Sequence, residues 1–397
     1  MFSNINFRNM FEYKRLAKYA LLIFSIMALI SCKKEPDEKK PPEEPDDGSI
    51  SGTLYRDTVF TDVNSDPNAA DYYITGALNI EAVLEIDSGV VIEMGAGASI
   101  VIKTTGTIIA RGGANNPITI TGLTKTRGSW KYIMVNSNDP RNELSWVNIE
   151  YGGGDDSNNG TIYLNTGGFL KMENSKISNS KNNAIVIAAE DAHLNNFNNN
   201  QIENCEYPLQ IRPNQIPEIN DNTIYTNNDN SFITLIGSYI KAPLMWSKKS
   251  LPYVHKGTTV IEADVNMAQG VNISMDYASM IQVRPTGSLK ASGTASEKII
   301  FSSVELVQGY WHCLHFQSRS NNNSLSYVDI SYGGGSPDYM GAVYIGAPAG
   351  LPEAILSMNN CALSMSASWG VYVQSNASLI NGGGNNFSNN IMGNIGP

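Results

Sequence analysis

The segment LSWVNIEYGGG, residues 144–154, recurs as LSYVDISYGGG at residues 325–335. The copies lie 181 residues apart, and sliding the chain on itself by that offset aligns far more than the motif. Gly76 meets Gly257, Ile80-Glu81-Ala82 meets Ile261-Glu262-Ala263, Gly106 meets Gly287, Ile118 meets Ile299, and Trp130 meets Trp311. No gap is needed between residues 76 and 154, so the chain carries a tandem duplication, and the repeat decides the fold before any chemistry is considered.

Within the motif Val147, Ile149 and Tyr151 share one parity while Trp146, Asn148 and Glu150 share the other. That period of two belongs to a strand with one buried face. In the second copy Val328, Ile330 and Tyr332 take the apolar side, and Tyr327, Asp329 and Ser331 the polar side. Three glycines follow in both copies and predict that the strand ends in a sharp corner.

Between the copies, Ile162, Ile185, Leu209 and Ile233 recur at steps of 23, 24 and 24 residues, and Ile177, Ile202 and Ile224 at 25 and 22. Several short strands per step, with no helical period, predict the coils of an all-β solenoid. Asparagine-rich turns such as Ile177-Ser178-Asn179-Ser180 fit it, because asparagine tolerates the left-handed conformation and can pair with its counterpart one coil along.

From about residue 71 onward the chain resembles a right-handed parallel β-helix of the pectin-lyase-like kind. The resemblance is carried by GVVIEMGAGASIVIKTTGTIIARGGANNPITITG (89–122), Trp130 and the repeated strand and corner. It implies some twelve to fourteen coils stacked at ~4.8 Å, with a first half at about 71–240 and a second at about 250–397, successive stretches of one rod. Within that superfamily it is specific for fold and leaves activity open, since lyases, hydrolases, adhesins and other surface proteins share the scaffold.

Residues 1–31 read as a targeting segment. Lys14, Arg15 and Lys18 precede an apolar run at 19–30, too short for a spanning helix, which needs about 20 apolar residues. Leu29-Ile30-Ser31-Cys32 resembles a bacterial lipobox, which implies lipid attachment at Cys32 and a membrane partner through that anchor. KKEPDEKKPPEEPDD, within a tether at 32–48, has no apolar residue and is expected to be an extended, disordered linker. The charged run after the cysteine resembles export signals for the outer face of the outer membrane.

The signal carries a net +3 and the tether −3, so the rod keeps the whole −10 of the chain, and no basic cluster interrupts it. Nucleic acid is therefore not an expected partner. Cys205, Cys313 and Cys361 read as buried small side chains. His312 and His315 lie three apart, which on a strand sends them to opposite faces rather than to one metal. Asp155, Asp156 and Asp338 follow the glycine corners in two unlike loops and fall short of a calcium cage; no cofactor is expected. Gln210 to Trp246, with Pro213, Pro217 and Pro243, is the expected site of an irregular coil.

The chemistry the sequence offers is outward aromatics beside polar groups. Trp146 with Asn148 and Glu150, and Tyr327 with Asp329, are the candidate glycan contacts, rings on which sugars stack next to groups that bind hydroxyls. The leading expectation is a non-catalytic, surface-anchored β-helix lipoprotein that contacts polysaccharide or cell-surface proteins. The alternative is a polysaccharide lyase or hydrolase on the same scaffold. Against it, no Gly-His-Gly tripeptide occurs, and Arg111 and Arg212, the conceivable bases, have no carboxylate cluster assigned to them in the sequence.

Overall fold

A computed structural model describes residues 49–64 and 66–397. The expected signal segment, the acylated Cys32 and the tether at 32–48 lie outside the described residues. The rest is an all-β parallel solenoid of about 14 turns. Among the described residues the one helical element is a 3-10 turn, Pro213–Glu218.

Each coil lays three short strands on three faces. Ile118–Gly122, Ile133–Val135 and Glu143–Ser145 make one coil; Val147–Glu150, Gly160–Leu164 and Phe169–Glu173 make the next, each strand parallel to the one before it. The sequence period works through register. Ile162 pairs with Ile185, Ile185 with Leu209 and Leu209 with Ile233, so like side chains stack on like along the axis. Ile92, Met94, Ile100, Ile102, Ile118 and Ile120 all point inward and are fully buried, each such side chain contributing about 1.5 to 3 kcal/mol. The second isoleucine series holds for one step only. Ile177 pairs with Ile202, but Ile202 then meets Tyr225, and Ile224 sits beside Gln201 with its side chain exposed.

The repeated motif is not the single strand expected. Leu144 belongs to a third-face strand, Trp146 turns the corner with φ 55°, and Val147–Glu150 starts the first face of the next coil. Tyr151, with φ 64°, ends that strand before any glycine does. Tyr327 and Tyr332 repeat both corners at φ 50° and 64°. Of the three glycines only the middle one, Gly153 or Gly334, has positive φ. Gly152 and Gly154 are needed for close approach: a Cβ on Gly152 would lie 2.9 Å from the Trp130 ring, and one on Gly154 would strike the Gly128 carbonyl. Trp130, fully buried, donates its Nε1–H to the Glu150 carbonyl at 2.8 Å, and Trp311 does the same to Ser331.

Asparagines at 174, 179, 199, 204 and 227 take the left-handed corner in successive coils. Their pairing differs from the expected ladder of like on like. The next residue turns inward, and where it is asparagine it brackets the coil below. Asn200 Oδ1 accepts the Ser175 N–H at 3.0 Å while its Nδ2 donates to the Met172 carbonyl at 3.1 Å. Asn228 does the same for Cys205 and Ile202. Cys205 and Cys361 occupy these small inward slots. All three described cysteines are buried and unbridged.

The duplication extends strand by strand beyond the gapless stretch. A longer turn at 346–353 raises the offset from 181 to 186, so that Asn183–Ile187 answers to Trp369–Val373 and Tyr207–Ile211 to Gly393–Gly396. The copies meet with a shift of one face. Ile233–Ile236 pairs with Tyr207–Ile211, a second-face strand of the first copy, and on its other side with Tyr253–Lys256, a first-face strand of the second. The irregular coil expected at 210–246 carries this shift. Ser49–Leu54 forms part of the first described coil, parallel to Tyr72–Ile80 with a break in register between Ile50 and Gly52.

Candidate functional site

The face shift decides what the proposed sugar contacts can do together. Trp146 stands on the edge that precedes the first-face column of the first copy, and Tyr327 on the edge that precedes the continuation of its second-face column. From Gly160–Leu164 to Val328–Ser331 there are seven ladder steps, about 34 Å at ~4.8 Å each. The two aromatics therefore do not line one groove. Trp146 is 37 % exposed, with Asn148 and Glu150 outward on the adjoining face, and Glu150 accepts the Thr121 hydroxyl at 3.0 Å. Tyr327 is half-buried, and Asp329 is held by Lys298 at 3.0 and 3.1 Å.

Four of the groups weighed for catalysis or metal have structural partners. Arg111 donates to Glu143 at 2.7 and 3.0 Å, and Arg212 ties down the carbonyls of Ala188 and Gly237. Asp155 accepts the N–H groups of Ser157 and Asn158, and Asp156 pairs with Lys181 at 2.9 Å. Among the described residues no three His, Cys, Asp or Glu side chains converge on a metal position.

A different constellation sits on the second face of the second copy. Outward positions in successive strands place Gln282, His315, Tyr344 and Tyr372 in one column. Beside it the next outward positions are Arg284, Gln317, Gly346 and Gln374. Tyr344 and Tyr372 stack with ring centroids 5.3 Å apart and planes 5° from parallel. His315 faces outward as its parity predicts, yet it is only 3 % exposed, because Tyr339 from the preceding corner loop covers it at 4.6 Å and Tyr344 meets it edge-on at 5.0 Å. Burial pushes the imidazole down to about 4. In its neutral form one tautomer satisfies both neighbours, Nε2–H toward the Gly346 carbonyl and Nδ1 toward the Gln282 amide, each at 3.4 Å.

Two polar atoms of this face are buried without a hydrogen-bond partner, Arg284 Nε and Gln317 Oε1. One is a donor and the other an acceptor, each just past one of two adjacent strands, and both are enclosed with an unmet hydrogen bond of a kind that folded proteins seldom leave. Past Tyr372 a cavity of about 530 Å³ opens, with Gln374, Ser375 and Asn376 in its wall. Asn376 Oδ1 is likewise unpartnered.

Sequence reasoning missed this face, although the duplication holds the signal. At the offsets of 181 and 186, Gln282, His315, Tyr339, Tyr372 and Gln374 replace Val101, Met134, Asn158, Val186 and Ala188. One copy carries amides, an imidazole and aromatic rings where the other has valine, methionine, asparagine and alanine.

No family model matches the chain, and no curated protein matches it. Among solved structures it is similar to an alginate lyase from Paenibacillus sp. str. FPU-7, at 14 % identity over 80 % of this chain and 91 % of that one, with a TM-score of 0.18. A likeness at that level carries no argument; the fold rests on the strand ladders.

Proposed function

We propose that this protein is a non-catalytic, lipid-anchored β-helix of the bacterial outer membrane that binds glycans along the flank of its second copy. The observation that supports the reading is the half-buried Tyr372 ring, stacked on the buried Tyr344 and set at the cavity walled by Gln374, Ser375 and Asn376. Aromatic faces hold the C–H side of a sugar ring, and paired donor and acceptor groups take its hydroxyls. Successive coils repeat these groups at ~4.8 Å, close to the advance of one residue in an extended sugar chain, which favours a polysaccharide lying along the axis. Trp146 with Asn148 and Glu150 is a second, smaller contact on another edge.

Polysaccharide cleavage is the alternative, favoured by one observation, the neutral His315 between two tyrosines with Arg284 nearby. Both imidazole nitrogens are engaged, however, and the ring lies beneath Tyr339. A glycan array followed by calorimetry tests the reading. Tyr372→Ala is expected to weaken the best ligand at least tenfold, about 1.4 kcal/mol, and Trp146→Ala by less. Chain cleavage that is lost in His315→Ala would establish the enzymatic reading instead. Equal binding by Tyr372→Ala and the parent would remove the proposed site.

A further inference from the structure

The third-face sheet of the first copy stops at His193–Asn198. In the next coil the 3-10 turn takes the place of a strand, leaving the single bridge Phe197–Ile219. The lapse opens a cavity of about 510 Å³, with Asn195, Asn198, Glu218, Asn220, Asp221 and Lys249 in its wall. That volume lies in the range of small-molecule sites, which favour such junctions.

Lys249 is the informative residue. Its side chain is 9 % exposed, and its ion-pair partner among the described residues is Asp221, at 3.9 Å. That separation is too long for a hydrogen bond, so the stem of Lys249 is packed while its ammonium, not itself enclosed, makes no direct hydrogen bond to the protein and can donate into the cavity. A hydroxyl placed between the two accepts from Lys249 Nζ and donates to Asp221.

Charge selects the class of ligand. Glu218 is already used, by His193 at 2.6 Å and by the Leu194 N–H at 2.8 Å. Asp221 offsets Lys249, which leaves no surplus positive charge to favour an oxyanion. We infer that the cavity at the junction binds one neutral, polyhydroxylated unit such as a hexose, at a site separate from the tyrosine face and independent of it.

Saturation-transfer NMR on the full protein tests this with glucose, galactose, mannose and N-acetylglucosamine, and with glucuronate and glucose 6-phosphate as charged probes. At least one neutral sugar is expected to bind, at least tenfold more weakly to Lys249→Met and to the near-isosteric Asp221→Asn, and unchanged to Tyr372→Ala. Loss in Tyr372→Ala alone would assign the signal to the flank and overturn the inference. So would the absence of neutral-sugar binding, or binding confined to the charged probes. Thermal melts of Asp221→Asn separate a lost ligand from a lost fold.

Discussion

At the scale of single residues, the glycines and tryptophans of the repeated motif fit one another more tightly than the strands do. Gly154 and Gly335 lie against the carbonyls of Gly128 and Gly309, where a Cβ has no room. Alanine at either position is expected to destabilise the solenoid by about 3 kcal/mol, read as a lower denaturant midpoint. Two buried histidines contribute to the acid response. Burial lowers His255, fully enclosed in the core, and His315 to about 4 each. A histidine depressed in the folded state takes up its proton more readily when unfolded. Its contribution is therefore complete above about pH 6.5 and is lost as the pH falls toward 4, by roughly 3 kcal/mol per group at most. The double variant His255→Ile, His315→Met restores the first-copy residues Ile74 and Met134. Denaturant midpoints measured from pH 7 to 4 are expected to fall less steeply for it than for the parent. Both tryptophans and all three glycines were legible in the sequence, but their roles were not, because alternation along a strand says nothing of what crosses between coils.

At the scale of the strand and corner, the period of 23 to 25 residues was readable because stacked coils put equivalent side chains in register. The error at Ile224 has a physical cause: the corner before it is one residue out of step with the isoleucine spacing, and Tyr225 takes the inward place. The inward asparagines were also out of sight, since the sequence shows asparagine in turns without showing which of two neighbours faces in. Asn200 satisfies the Ser175 N–H and the Met172 carbonyl while itself buried. Asn200→Ala strands both, and a loss of about 2 kcal/mol is expected, together with faster hydrogen exchange at the Ser175 amide. An unchanged midpoint and unchanged exchange would show that water replaces the bracket at no cost.

At the scale of the whole solenoid, duplication supplies its own control. One copy folds with valine, methionine, valine and alanine where the other presents Gln282, His315, Tyr372 and Gln374. The first copy thus shows that this coil geometry forms without those four side chains. The one-face shift at the junction was not legible, because an offset between aligned residues records distance along the chain and not rotation about its axis. That rotation separates Trp146 from Tyr327, and the proposed glycan contact is therefore placed on the tyrosine face. The most direct measurement returns this face to its first-copy form, Gln282→Val, His315→Met, Tyr372→Val and Gln374→Ala together, and compares glycan affinity and thermal stability with the parent. The expected result is a folded solenoid of similar midpoint whose affinity has dropped at least tenfold; full retention of binding by that variant would contradict the account.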